Sequence, residues 1–121
     1  LNWIQEIIAA LPSHLPVILY AKGLSNRASI LSTTGACVLS LDSSVKLSVV
    51  RRSLSAPIAL QGNLDPEILE TEPSVVVKET RAILEDMKPY HGHILNLGHG
   101  IRPTARIENV HAMVDSVVNF S

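Results

Sequence analysis

The sequence predicts an α/β protein built around a parallel sheet, and three observations support this fold class. Four short apolar runs alternate with segments whose apolar residues recur at helical spacing. The runs lack polar alternation, which is typical of parallel strands buried on both faces. Glycine and polar residues gather where each run ends. Strand–helix alternation of this kind favours a parallel sheet with crossover helices.

The four predicted strands are short and clearly bounded. They occupy residues 16–21, 36–41, 56–61 and 93–97. Lys22-Gly23 ends the first strand and Asp42 ends the second. Pro57 lies at the start of the third, where a strand tolerates proline.

Helical spacing predicts a first helix over residues 1–11, which Pro12 stops. Ser25 can cap a second helix, and Gly35 ends it. A third helix over residues 45–54 has Val45, Val49 and Leu54 as its apolar positions.

The clearest helix start in the chain lies after the third strand. Asp65 is a strong N-cap, Pro66 fits the first helical position, and Glu67 suits the positive end of the helix dipole. A short helix to about residue 70 and a longer one from about residue 73 follow. The last helix begins near residue 106, and Asn109 faces outward on it. Its predicted apolar positions are Ile107, Val110, Val114, Val117 and Val118.

Two architectures fit this order of elements: a small doubly wound sheet, or part of a (β/α)8 barrel. A full barrel needs about 250 residues, and this chain has 121. Both folds place their functional sites at the carboxyl ends of the strands. The residues alone leave both architectures open.

Composition argues against several classes of protein. A net charge of -1 and 3% aromatic residues give little support for nucleic-acid binding. No apolar run reaches the roughly 18 residues of a membrane span. Cys37 is the single cysteine, so an internal disulfide and a thiolate metal cluster are excluded, and we expect a core thiol.

The candidate site centres on His99, which lies between Gly98 and Gly100 directly after the fourth strand. Histidine changes charge near neutral pH, so this position suits proton transfer or the binding of a carboxylate. Glycines on both sides let the backbone pass close to a bound molecule. The alternative is a surface histidine in an ordinary glycine turn.

Other polar residues at strand ends are further candidates, each with a structural alternative. Asp42 would point toward the mouth of the sheet, or cap the helix that follows it. Gln61 and Asn63 can hydrogen-bond a polar substrate, or bond within their own loop. Lys22 can bind an anion, or simply be solvated.

The histidines do not predict a metal site. An extended chain from His93 to His99 covers roughly 20 Å at about 3.3 Å per residue, so these two cannot share one ion. His14 and His111 lack ligand spacing. The sequence also contains neither a GxGxxG motif nor a phosphate-binding loop, so a nucleotide is not suggested.

Two motifs together carry a family resemblance. ALQGNLDP at residues 59–66 and NLGHGI at residues 96–101, in this order and spacing, closely resemble uroporphyrinogen decarboxylase. The Glu108-Asn109 start of the last helix is similar to that family as well. Leu41-Asp42 resembles its Gly-Leu-Asp-Trp segment, although Ser40 and Ser43 replace the glycine and the tryptophan. The resemblance covers essentially the whole chain.

The resemblance implies the carboxy-terminal half of a (β/α)8 TIM barrel, with about four parallel strands and the helices outside. Residues 1–121 would form a single segment, matching the last third of the family's chain. The family works without a cofactor, as a homodimer, in haem and chlorophyll biosynthesis. The implied location is the cytoplasm, or the plastid of a photosynthetic eukaryote.

The implied reaction removes carbon dioxide from the four acetate side chains of uroporphyrinogen III to give coproporphyrinogen III. His99 matches a family histidine that contacts the substrate, and we expect Gln61, Asn63 and Asp42 to bind substrate beside it. The family's arginine-rich loop, key aspartate, tyrosine and serine belong to its earlier two-thirds. We therefore expect the isolated 121 residues to be inactive.

Two rival readings remain. Zinc- and corrinoid-dependent methyltransferases of the same fold resemble the Glu108-Asn109 segment, but they typically carry a cysteine where His99 stands. The other rival is a non-catalytic truncated half-barrel. Such a piece would leave two sheet edges unpaired and one apolar face bare.

Overall fold

The structure is a computed structural model that describes residues 1–121. The strands are β1 (Ile18–Tyr20), β2 (Val38–Ser40), β3 (Ala59–Gln61) and β4 (His93–Ile94). The helices are α1 (Asn2–Ala10), α2 (Ala28–Leu31), α3 (Leu47–Ser53), α4 (Pro73–Met87) and α5 (Ile107–Val118). Short 3₁₀ helices cover Ser25–Arg27 and Pro66–Glu70. The predicted alternation of strands and helices is confirmed.

The order of the strands decides between the two predicted architectures. All four strands are parallel, and they lie side by side in the order of the sequence. A doubly wound sheet reverses direction at a switch point, whereas a barrel adds each new strand on the same side. The sheet is therefore half of a (β/α)8 barrel.

The strands are shorter than their apolar runs, although backbone pairing continues past their ends. Leu41 N donates to Gln61 O at 2.9 Å, and Leu64 and Leu97 form an isolated parallel bridge. At the other end of the sheet, Pro16 and Pro57 have no N–H group to extend the hydrogen-bonded ladder.

The two faces of the sheet differ in burial. Leu39 and Leu60 are paired in register, fully buried, and packed in the core cluster with residues from the surrounding helices. On the opposite face Ile18, Tyr20 and Ile94 remain 49%, 42% and 43% exposed. The prediction of burial on both faces is wrong for these residues, which lie on the edge strands β1 and β4, whereas Val38 on the inner strand β2 is buried on the same face.

The buried face of α3 also differs from the prediction. Leu47 and Val50 are buried, whereas Val49 is 53% exposed. The helix begins at Leu47 rather than at residue 45, so the buried stripe falls on different positions of the helix. Cys37 is exposed as well, so the expected core thiol is wrong: its neighbours Ala36 and Val38 are buried, and the side chain between them faces solvent.

Asn109 sets the orientation of α5, contrary to the prediction that it faces outward. Its side chain is completely buried, and its Nδ2 donates to the backbone carbonyls of Leu69 and Thr71 at 2.9 and 2.5 Å. Val114 and Val118 consequently face solvent. This contact ties the last helix to the chain that follows the 3₁₀ helix Pro66–Glu70.

None of the helices combines the length and the apolar character that a membrane crossing requires.

Candidate functional site

A groove of about 400 Å³ lies at the carboxyl ends of the strands and contains His99. Its lining includes Tyr20, Ser40, Gln61, Asn96, His99 and Ile101. The structure therefore brings together His99 and Gln61, two of the four residues that the sequence predicts to bind substrate. Asp42 and Asn63 do not line this groove.

Two glycines let the loops after β2, β3 and β4 lie in direct contact. A Cβ on Gly98 would lie 2.6 Å from the backbone nitrogen of Ser43. A Cβ on Gly62, which has a φ of +134°, would lie 2.7 Å from the carbonyl oxygen of Leu41. The glycines of both sequence motifs thus rest on the same short stretch after β2.

Asn63 holds these loops together. Its side chain is 7% exposed, and Nδ2 donates to the backbone oxygens of Asp42 at 2.9 Å and Val45 at 2.6 Å. Both amide hydrogens are thereby used within the protein. The side chain lines a separate cavity of about 480 Å³ between the β3 loop and the helices α3 and α4.

Asp42 is half-buried and organises its own loop. Its carboxylate accepts hydrogen bonds from the backbone N–H and the hydroxyl of Ser44. Its backbone nitrogen donates to Ser25 Oγ at 2.9 Å. Partial burial raises the pKa of Asp42, but hydrogen bonds from Ser44, Ser25 and the Gly23 backbone outweigh it and hold the pKa below its usual value.

His99 is exposed, and its ring is free of internal partners. Among the five histidines, only the ring of His93 is hydrogen-bonded, through Nε2 to Gly62 O at 2.9 Å. The loop that carries His99 is fixed instead through its backbone. Gly98 N donates to Leu64 O at 2.8 Å, and the Tyr20 hydroxyl donates to Gly98 O at 3.4 Å. The imidazole is therefore held at the groove with both nitrogens available to a ligand.

Gln61 offers a second polar group to the groove. Its Nε2 donates to Ser40 Oγ at 3.0 Å, and this bond fixes the side-chain orientation. Tyr20, Ser40 and Gln61 are paired in register across β1, β2 and β3. Sequence reasoning missed Tyr20 and Ser40. Both residues share the register position of Gln61 in the sheet, and this can be recognised only when the strand order is known.

Asp65 has a structural role. Asp65 Oδ1 accepts a hydrogen bond from Glu67 N at 3.0 Å, which confirms the predicted cap. The structure contains no group of three histidine, cysteine, aspartate or glutamate side chains close enough to hold a metal ion.

Comparison with known proteins assigns the family. A sequence model of uroporphyrinogen decarboxylase (URO-D) matches residues 1–120. The chain belongs to the uroporphyrinogen decarboxylase family. The resemblance drawn from the two glycine motifs is therefore confirmed.

Bacterial members of the uroporphyrinogen decarboxylase family match along most of the chain. The uroporphyrinogen decarboxylase of Dichelobacter nodosus is 38% identical over 121 residues, which are 100% of this chain and 35% of the relative. That of Ralstonia pickettii is 41% identical over 110 residues, covering 88% of this chain and 30% of the relative. The chain thus spans about a third of the length of these relatives.

Among solved structures, a methyltransferase from Methanosarcina mazei has the same fold. The TM-score is 0.84 with 20% sequence identity, over 98% of this chain and 35% of that one. At this identity the likeness shows the architecture alone. This chain and the matched part of the methyltransferase thus share the half-barrel architecture.

Proposed function

We propose that this chain supplies the carboxy-terminal, His99-bearing part of an enzyme that decarboxylates uroporphyrinogen III. The enzyme would remove the four acetate carboxyl groups and give coproporphyrinogen III without a cofactor. One observation carries the proposal: in a member of the uroporphyrinogen decarboxylase family, His99 lies in the groove at the strand ends with its ring free of internal partners.

The chemistry of the groove fits this reaction. Protonation of a pyrrole carbon turns the ring into an electron sink, so carbon dioxide can leave without an external cofactor. The exocyclic carbon then takes up a proton to become the methyl group, and the ring carbon loses the proton that it gained. A substrate with many carboxylates then needs hydrogen-bond donors held in fixed positions. His99 would donate to a substrate carboxylate and assist proton movement, while Gln61 and Tyr20 would offer neutral polar contacts.

The placement of Asp42 and Asn63 gives them a different proposed role. Both Asn63 amide hydrogens and the Asp42 carboxylate are occupied within the loops. We propose that these two residues act on the substrate indirectly, by fixing the loops on which Gln61 and His99 lie.

Two variants of His99 test the proposal in the full gene product. Anaerobic turnover of uroporphyrinogen III is followed by chromatography of the partially decarboxylated products. Loss of a charge-assisted hydrogen bond predicts a fall in kcat/KM of about tenfold to a hundredfold for His99→Ala. His99→Asn keeps a hydrogen-bond donor but no titratable group, so a role in proton transfer would appear as a loss of kcat with KM retained.

His111→Ala is the matched control, because His111 is an exposed histidine on α5, outside the groove. It should retain the activity of the unsubstituted protein. The proposal fails if the unsubstituted gene product does not decarboxylate uroporphyrinogen III. The role of His99 is wrong if His99→Ala matches His111→Ala in kcat/KM.

Three further parts of the proposal rest on the resemblance. The 121 residues alone would not turn over substrate, because the family's other functional residues lie outside the matched segment. The full protein would form a homodimer, which analytical ultracentrifugation would test. Its location would be the cytoplasm, or the plastid in a photosynthetic eukaryote, which cell fractionation would test.

A further inference from the structure

A second cavity, of about 270 Å³, adjoins the groove at His99. His99 and Gly100 line both spaces, so the imidazole borders the groove and the second cavity alike. The polar or charged residues that line the cavity are Lys22, Ser43, Asp65, Glu67, His99 and Arg102. This composition suits a polar or charged part of a ligand rather than an apolar one.

Most charges around this cavity are already engaged within the protein. Arg102 forms ion pairs with Glu67 at 2.9 Å and with Glu70 at 3.4 Å. The Asp65 carboxylate caps the 3₁₀ helix that it precedes. Lys22 forms no ion pair. Its ammonium group is therefore the one cation of the cavity without an ion pair, while the Asp65 carboxylate keeps its negative charge.

The backbone that carries Lys22 is fixed close to the His99 loop. Tyr20, two residues earlier, donates its hydroxyl hydrogen to Gly98 O. Leu24 N donates to Ala21 O at 3.1 Å, which closes a turn around Lys22, and Gly23 takes a φ of +74° within it. Lys22 thus reaches the cavity from the end of β1, whereas His99 reaches it from the loop after β4, at the other edge of the sheet.

We propose that Lys22 and His99 together bind one carboxylate side chain of the substrate in this cavity. The inference rests on the proposed function, because uroporphyrinogen carries carboxylates around its entire ring. Lys22 supplies the charge, and His99 supplies a directional hydrogen bond. Lys22 would bind substrate without taking part in proton transfer.

Binding is measured with uroporphyrin III, the fluorescent oxidised form of the ring, titrated into the full gene product. Lys22→Met should raise the Kd about three- to tenfold, which is the expected loss for a partly exposed charge contact. Lys22→Arg keeps the charge and should stay within about twofold of the unsubstituted protein. Lys78→Met is the matched control, because Lys78 is exposed on α4 and forms no ion pair.

Turnover of uroporphyrinogen III separates binding from chemistry. For Lys22→Met we expect KM to rise about three- to tenfold while kcat changes by less than about twofold. A Kd for Lys22→Met within about twofold of that for Lys78→Met overturns the inference, and so does a failure of the unsubstituted protein to bind uroporphyrin III. If the unsubstituted protein binds this porphyrin but does not decarboxylate uroporphyrinogen III, the proposed function fails and the binding comparison still decides the role of Lys22.

Discussion

Gly98→Ala adds one methyl group at the tightest backbone approach in the site. The new Cβ would lie 2.6 Å from Ser43 N, 3.0 Å from the carbonyl carbon of Asp42 and 3.1 Å from its Cα. Ordinary contacts of this kind are about 3.5–4.0 Å, so the methyl group would overlap one atom by about 1 Å and two others by about 0.5 Å. All three atoms belong to the backbone, which cannot rotate away as a side chain could.

The expected result is a loss of about 2–3 kcal/mol in the free energy of unfolding, at the upper end of the range for overpacking. Urea unfolding of the full gene product measures it. Because His99 directly follows Gly98, the shift of the loop should also lower kcat/KM for uroporphyrinogen III.

Gly100→Ala is the matched control, since a Cβ there meets nothing within 4 Å. It adds the same methyl group to the same loop and should change the free energy of unfolding by less than about 0.5 kcal/mol. Equal unfolding free energies for Gly98→Ala and Gly100→Ala would refute the argument that the three loops rest on a glycine contact.

Two further substitutions test contacts outside the groove by urea unfolding. Asn109→Ala removes one of two donors from each of the backbone carbonyls of Leu69 and Thr71, which keep their bonds from Arg106, and should cost about 1–3 kcal/mol, whereas exposed Asn119→Ala should cost less than about 1 kcal/mol. Partial burial raises the pKa of Asp86, but hydrogen bonds from Ser48 and Lys46 outweigh it and lower the pKa below 3.8. The ionised Asp86 carboxylate therefore adds its full contribution to the free energy of unfolding above pH 3.8, and this contribution is lost as the pH falls through the lowered pKa. The lower free energy of unfolding of Asp86→Asn should become equal to that of the unsubstituted protein in that pH range. Equal stabilities for Asn109→Ala and Asn119→Ala, or an Asp86→Asn disadvantage that persists at lower pH, would contradict these arguments.

Features that depend on neighbouring residues could be predicted from the sequence. The Asp65 cap is confirmed because the side chain and the N–H that it binds lie two residues apart. The positions of the strands are confirmed because each depends on one local apolar run. The strand order could not be derived from residue patterns, since a doubly wound sheet and a barrel share the same alternation.

Features set by distant contacts were predicted less well. His99 and Gln61 share the groove because each lies at the carboxyl end of its strand, at the same edge of the sheet. The placement of Asn63 depends on carbonyls 18 and 21 residues away, and that of Asn109 on carbonyls 38 and 40 residues away. No local pattern reveals such partners. From the sequence alone, a polar residue such as Asn63 or Asn109 can therefore be interpreted either as a ligand-binding residue or as one that anchors a loop.

The close contact of Gly62 and Gly98 with the backbone of residues 41–43 limits which insertions this protein can accept. A residue inserted into that stretch would displace two neighbouring loops at once, and with them the histidine. A Cβ on Gly100 would meet nothing within 4 Å, so a single methyl group there would leave the strand ends in place. Insertions in natural proteins of this kind should therefore avoid residues 41–43.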